Sequence, residues 1–359
     1  MSDIGELASL RWNDNEGRLE VIDQTLLPHL LQWQPLDTLE AFCHAIAAMQ
    51  VRGAPLIGVT AAYGLACALG DDPSDTGLER AANALLATRP TAVNLSWALA
   101  RVCARVRDLV PAHRYDAALA EAHGLCAEDV ANCASIGEHG LARLRALPRV
   151  GTLNIMTHCN AGSLATVQWG TALAPIYKAH LAGLEVHVWV SETRPRNQGA
   201  NLTAWELQRA GVPCTVVADN SCGLLLARGD VDCVIVGSDR TAANGDVCNK
   251  IGTYLKALAA RANDVPFYVA LPESTIDWEC PAGLAIPIEE RSCDEVLTIA
   301  GLRDDGALAS VRLTAEGVGA FNPAFDVTPA PLVSALITEH GCFEASNAGL
   351  DQLRALLAQ

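Results

Sequence analysis

From residue 149 onward the chain repeats a pattern that few folds satisfy. Short, mainly apolar runs occur at 152–156, 184–190, 214–218, 231–236 and 265–270. Helix-length segments separate them, several closing on a glycine, as at Gly183, Gly211 and Gly229. Strand, helix, strand at this spacing predicts βαβ units and a parallel sheet covered on both faces. Such sheets bind ligands beyond the carboxyl ends of their strands, so the residues just after each run carry the functional expectation.

The first part of the chain has another texture. LRWNDNEGRLEVID, residues 10–23, places two alternating runs around an Asn, Asp and Gly turn and predicts a β-hairpin. After Pro28 the spacing becomes helical, with Leu39, Phe42, Ile46 and Met49 on one expected face, and helical signals continue to about residue 147. The chain therefore reads as α/β with two domains: residues 1–145, mostly helical with the hairpin, and residues 146–359, built on the parallel sheet. A length of 359 residues suits that partition at about 150 residues per domain.

Composition narrows the functional classes. The chain is 50% hydrophobic and 18% charged, enough apolar content for a substantial core, and its net charge of −16 argues against nucleic acid or a membrane surface as partner. The uncharged stretch 53–70 is rich in Gly and Ala and falls short of the ~20 strongly apolar residues of a span; 150–177 is interrupted by Asn154, His158, Asn160, Ser163 and Gln168. The acidic start MSDIGELASL does not read as a signal peptide. Thirteen cysteines form an odd set without C-x-x-C or zinc-finger spacing, which suits free thiols in a reducing cytoplasm. No G-x-x-x-x-G-K-[ST] loop, G-x-G-x-x-G turn, G-x-S-x-G elbow or histidine pair at metal spacing is present, so no metal, nucleotide or other cofactor is expected.

What remains is polar residues at expected strand ends. Thr157 to Ser163 follow the first run, Ser191 to Gly199 the second, Asp219 and Asn220 the third, and Gly237 to Arg240 the fourth. Cys159 offers a thiol, Asp239 an acid or base, and Gln198 a neutral amide. The turn from Asn160 to Ser163, expected to open a helix, offers N–H groups to an anion. Each has a plainer reading: a buried thiol among many, an Asp capping a helix, a solvated ion-pair cluster of Glu192, Arg194 and Arg196, and a structural hydrogen bond for His158. In the first domain, Arg52-Gly53-Ala54-Pro55 and Arg89-Pro90 each put a cation before an expected helix, where it opposes the helix dipole unless an anion is bound. Lys250, expected to open the helix after the fourth run, adds a further cation; alone it would read as a solvated surface lysine. Together these residues predict an enzyme for a small phosphorylated substrate, with the reaction type open.

The motifs RGAPLIG, RPTAVNLSWAL, THCNAGSLAT, ETRPRNQGANLTAWEL, VGSDRTAANGDVCNKIGTYLKALAA, VPFYVALPESTID, IPIEER and FNPAFDVTP resemble the methylthioribose-1-phosphate isomerases. These belong to the larger family that includes regulatory subunits of the eukaryotic initiation-factor guanine-nucleotide exchange complex. The matching blocks span about residues 50–340. The resemblance implies a helical amino-terminal domain with a hairpin and a Rossmann-like carboxyl-terminal domain. It makes Cys159 and Asp239 the catalytic pair and assigns substrate contacts to Arg52, Gly53, Ala54, Arg89, Gln198, Asn249 and Lys250. The segment 219–229, DNSCGLLLARG, departs from the family's usual Ala- and Met-rich stretch.

The implied reaction converts 5-methylthioribose 1-phosphate to 5-methylthioribulose 1-phosphate in methionine salvage. Phosphate blocks the anomeric oxygen, so the ring oxygen must be protonated, a task suited to an acidic Asp239 in a water-poor site. A sister isomerase acting on ribose 1,5-bisphosphate or 5-deoxyribose 1-phosphate is the alternative; a second phosphate would require more cations than the sequence displays. A non-catalytic regulatory subunit would lack the joint presence of Cys159, Asp239 and Lys250. The resemblance also implies a homodimer through the carboxyl-terminal domain, for which the apolar tail 332–357 is the expected support.

Overall fold

The computed structural model describes residue 4 and residues 6–358. The chain opens with three antiparallel strands, β1 (Leu10–Asn13), β2 (Arg18–Ile22) and β3 (Trp33–Leu36), in that order. The first two form the expected hairpin. β3 lies in a segment expected to be helical; it is short, carries Pro35 and sits at the sheet edge, where a proline removes no central ladder bond.

Five helices follow: α1 (Leu39–Ala47), α2 (Ala54–Asp71), α3 (Asp75–Thr88), α4 (Val93–Val106) and α5 (Arg114–Arg145). The Thr38 hydroxyl caps α1 by accepting from the Ala41 N–H at 3.2 Å. Met49 lies beyond that helix at φ 62°, so it leaves the face formed by Leu39, Phe42 and Ile46. α2 is long and apolar enough to cross a membrane, yet it is the central helix of a bundle. Leu56, Leu65 and Leu69 are fully buried there, each contributing roughly 1.5–3 kcal/mol of transfer free energy. The last turns of α5 bring Ile136, Leu141 and Leu144 into the core of the following sheet.

The apolar runs become β4 (Leu153–His158), β5 (Val186–Ser191), β6 (Cys214–Val217) and β7 (Cys233–Val236). Then come β8 (Arg240–Ala242), β9 (Val247–Lys250), β10 (Phe267–Ala270), β11 (Ile276–Asp277), β12 (Thr298–Leu302), β13 (Leu308–Arg312), β14 (Phe325–Thr328), β15 (Ala335–Thr338) and β16 (Gly341–Phe343). The main sheet has the order β16-β15-β10-β7-β4-β5-β6 and is parallel except for β16, as an α/β, Rossmann-like layer requires. From β4 the chain winds outward through β5 and β6, then returns to place β7 on the other flank of β4. The winding reverses between β4 and β7, which opens a crevice at their carboxyl ends.

A second sheet, in the order β11-β8-β9-β14, was not expected. Its β8–β9 hairpin turns at Asn244-Gly245, with Gly245 at φ 88°. Lys250 therefore ends a strand, and the helix it was expected to open begins at Thr253. The tail 332–357 is largely spent inside the chain: Leu336, Ile337, Leu350 and Leu353 are buried in the sheet's core.

Candidate active site

β4 ends on His158 and delivers Cys159, while β7 ends two residues before Ser238 and three before Asp239. The two expected catalytic residues thus leave the sheet at the reversal of its winding. The main chain fixes them further: the Asp239 N–H donates to the Cys248 carbonyl at 3.0 Å, and the Cys159 N–H donates to Thr193 Oγ1 at 2.8 Å. Cys159 adopts φ 63°, which turns the chain sharply off the strand.

One cavity between the helical part and the sheet is lined by every expected site residue: Arg52, Gly53, Ala54, Arg89, Cys159, Gln198, Asp239, Asn249 and Lys250. Gly53 caps α2 at φ 96°, and a Cβ there would lie 2.4 Å from the Ala165 Cα and oxygen. Only glycine lets the start of α2 approach that turn. Polar ties hold the two parts together: Gln24 Nε2 donates to the Leu164 carbonyl at 2.8 Å, Val167 N–H to Asp129 Oδ2 at 2.6 Å, and Asn94 Nδ2 to Ser274 Oγ at 3.0 Å.

The buried Cys159 thiol donates to Gln198 Oε1 across 3.4 Å. Asp239 is half-buried, and its carboxylate receives no hydrogen bond from the described residues, which leaves it available to a ligand. Arg89 departs from its expected setting. It follows the last residue of α3, where a cation suits the helix dipole. Its Nη2 meets Glu289 at 3.3 Å, but its buried Nε has no partner among the described residues. An unsatisfied buried donor on a cation is costly, and an anionic ligand would satisfy it.

Lys250 is buried against the Phe325 ring, its Nζ 4.3 Å from the ring centroid and 3.1 Å from the Ala324 carbonyl. Burial, and after it the charge of Arg291, pull its pKa down to about 8. Burial also lowers Arg89, with Glu289 opposing. With Arg240 and Arg291, the cavity wall carries Arg52, Arg89 and Lys250 against, among the described residues, the single carboxylate of Asp239. A positive cavity in an acidic protein draws in a small anion.

The defining pattern of the Initiation factor 2 subunit family matches residues 50–345. The chain belongs to that family. It is 59% identical over 344 residues to a methylthioribose-1-phosphate isomerase of Dechloromonas aromatica (strain RCB), covering 95% of each. Among solved structures it is similar to the 5-methylthioribose 1-phosphate isomerase from Pyrococcus horikoshii OT3, with a TM-score of 0.83 and 37% identity over 97% of this chain and 96% of that one. It also resembles the delta subunit of translation initiation factor eIF-2B from A. fulgidus, with a TM-score of 0.77, 38% identity and coverage of 94% and 96%.

Within this member of the family, other expectations shift. The turn after Asn160 opens a short 3-10 turn, and its N–H groups do meet an anion, but that anion is the protein's own Glu206, which accepts from Ser163 at 2.7 Å and Leu164 at 3.1 Å. The plain reading of His158 agrees with the structure. Its Nε2 donates to the Ile251 carbonyl at 2.8 Å, and burial, with Lys256 adding to it, lowers its pKa to about 3, so it is neutral. Glu192, Arg194 and Arg196 do not cluster: Arg196 pairs with Glu295 at 2.7 Å, and Arg194 donates to the Val296 carbonyl at 2.9 Å. Among the described residues no group of three or more His, Cys, Asp or Glu is arranged to hold a metal.

Sequence reasoning missed Arg291, which lies in the quoted IPIEER block and joins the cavity wall with Met49, Ile286, Pro287 and Phe325. Glu289 receives Arg291 Nε at 2.8 Å and Arg89 Nη2 at 3.3 Å, so one carboxylate holds two cations beside the cavity.

Proposed function

We propose that this chain is an aldose–ketose isomerase that converts 5-methylthioribose 1-phosphate to 5-methylthioribulose 1-phosphate, a step in methionine salvage. The observation that carries this reading is the convergence of an unpartnered acid, a thiol and an anion-binding wall in one cavity at the sheet's reversal point. Cations without a thiol and an acid would describe a binding module. The joint placement of Cys159, Asp239 and Lys250 therefore favours catalysis over a regulatory subunit.

Asp239 delivers its proton to the ring oxygen, and the ring opens between that oxygen and carbon 1. Arg52, Arg89 and Lys250 hold the phosphate on carbon 1, and the filled cavity excludes water from the reacting atoms. Hydrogen then passes from carbon 2 to carbon 1. In one route a base removes the carbon 2 proton, giving an enol phosphate; a proton then returns at carbon 1 as the carbon 2 hydroxyl gives up its own to the Asp239 carboxylate, leaving the ketone. In the other, a hydride shifts directly while the carbon 2 hydroxyl loses its proton. The Cys159 thiol, next to Gln198, is placed to exchange a proton in either. Gly53, Ala54, Gln198 and Asn249 complete the wall around the sugar.

Arg291 bears on the sister activity, because it supplies a cation the sequence had not displayed. Its charge is largely engaged by Glu289, which favours the substrate with a single phosphate. The test is a panel of sugar 1-phosphates differing only at carbon 5, followed by proton NMR in deuterated water. Preferred turnover of the 5-methylthio sugar supports the proposal; preferred turnover of ribose 1,5-bisphosphate overturns it. Solvent deuterium at carbon 1 marks the enol route.

The proposal extends to a cytoplasmic homodimer. All thirteen cysteines are free thiols, which suits a reducing compartment. The tail offers little for assembly, but a neighbouring surface does: Leu224, within the departing segment 219–229, is 60% exposed, and Leu255 on the adjoining helix Thr253–Ala262 is 67% exposed.

A further inference from the structure

Asn160 stands between the two halves of the site. Its side-chain oxygen accepts from Arg52 Nη1, and its main-chain carbonyl accepts from Arg52 Nη2 at 2.7 Å. Its Nδ2 donates to Glu206 Oε1 at 2.7 Å and to Thr203 Oγ1 at 3.1 Å. Thr203 and Glu206 are three residues apart, where a π turn (Gly199–Thr203) runs into the helix Ala204–Arg209. That spacing aims both at Asn160.

Glu206 is 2% exposed, and none of its hydrogen bonds from the described residues comes from a basic side chain. Its donors are Asn160 Nδ2, the N–H groups of Ser163 and Leu164, and the Tyr177 hydroxyl at 3.1 Å. A Cβ on Gly162 would come 2.3 Å from Glu206 Oε2, so the backbone is shaped around this carboxylate. The donor and acceptor pattern has a direction. A carboxylate only accepts, which fixes the Asn160 amide with its NH₂ toward Glu206 and its oxygen toward Arg52.

We propose that Glu206 is a positioning residue for the isomerase reaction: through Asn160 it holds the Arg52 guanidinium at the substrate cavity and so couples the sheet half of the site to the helical half. Glu206 does not touch the substrate itself. It occupies the N–H groups that an incoming phosphate could otherwise take, which leaves that phosphate to the arginines and Lys250. The proposal rests on the isomerase reading for its kinetic readout only.

The test compares Glu206→Gln, Asn160→Asp, the double variant and Arg52→Ala with wild type. The readouts are KM and kcat for the sugar phosphate, the calorimetric Kd for inorganic phosphate, and melting temperature. Glu206→Gln puts an amide NH₂ against a set of donors. KM and the phosphate Kd should rise about tenfold or more, approaching those of Arg52→Ala, while kcat changes less. In the double variant the carboxylate introduced at position 160 again accepts on both sides, from the new amide at position 206 and from Arg52, and most of the loss should be recovered. A lowered melting temperature with unchanged KM and Kd overturns the proposal. So does a double variant no better than Glu206→Gln, or an Arg52→Ala protein that binds phosphate normally. Should Glu206→Gln fail to fold, Asn160→Ser carries the same expectation, since it leaves Glu206 its backbone donors. A wild type that binds phosphate but turns over no sugar would sink the isomerase reading while the phosphate Kd series still decides the role of Glu206.

Discussion

The Cys159 thiol donates to Gln198 Oε1 at 3.4 Å, and this sets the orientation of the sulfur at the cavity wall. An amide oxygen accepts a hydrogen bond but does not take a proton at neutral pH. Gln198 therefore positions the sulfur without acting as its base.

Cys159→Ser keeps a donor toward Gln198 but gives up its proton far less readily. Turnover should fall by at least ~10²-fold, within the range of a lost acid–base group, with KM little changed. Kinetics on a variant with a wild-type circular dichroism spectrum check this. Near-normal turnover would reduce Cys159 to a cavity wall.

Asp239→Asn preserves shape and cannot deliver a proton. Because the carboxylate has no protein donor among the described residues, the substitution should leave the fold intact, and a loss of turnover then reports the chemistry. The expected loss is ~10²–10⁴-fold. Unchanged turnover would mean the ring opens by another acid.

Arg89 and Arg291 share Glu289 but face different duties. Arg89 carries the unpartnered Nε, so Arg89→Ala should raise KM by about 10–150-fold, the equivalent of ~1.5–3 kcal/mol for a charge-assisted contact, with a smaller effect on kcat. Arg291 donates both Nε and Nη2 to Glu289, and Arg291→Ala should act more weakly on the 5-methylthio sugar. Steady-state kinetics of the two variants decide the order. If Arg291→Ala costs more, the phosphate sits at the other end of the cavity.

How far the sequence reached depends on the range of each interaction. The main strands were legible because strands buried on both faces are continuous apolar runs; those of β7 and β10 are buried at every position. The rule that ligands sit at strand ends made Cys159 and Asp239 candidates among several, and only the resemblance singled them out as a pair. β3, β8 and β9 were not legible, since they are short and interrupted by Pro35 or by polar residues. The Asn244-Gly245 pair, a hairpin signal, could have revealed β8 and β9 and corrected the place of Lys250. Glu206 was out of reach because its partners lie 42 to 46 residues earlier along the chain, or 29 for Tyr177. The residue types there give no hint of which donors will meet.

The exposed leucines predict where copies meet. Leu224→Asp with Leu255→Asp places charges on a surface that a homodimer would bury, at a cost of several kcal/mol if unpaired. Light scattering at micromolar concentration should show a dimer for wild type and a monomer for the double variant. A monomeric wild type would refute the dimer, and a dimeric variant would place the interface elsewhere.

Lys250 makes the affinity for substrate depend on pH. Burial first, and Arg291 next, lower its pKa to about 8 in the free protein, whereas an unfolded lysine titrates near ~10.4. Between those values the unfolded chain binds the proton and the folded one does not, so the penalty for burying this ammonium is full below pH 8 and is relieved as pH rises. Binding runs the opposite way. A phosphate dianion favours the ammonium and raises its pKa again, so above pH 8 the complex must take up a proton that the free protein has lost. Affinity should therefore weaken toward a limit of about tenfold per pH unit above pH 8, with little change from this group below pH 7. Calorimetry at pH 8.5 in two buffers of different ionisation enthalpy measures the uptake directly. Wild type should take up at most about three-quarters of a proton there, given a free-state pKa of about 8, and Lys250→Met should take up none by this route. A wild type without uptake would show that the phosphate does not meet Lys250.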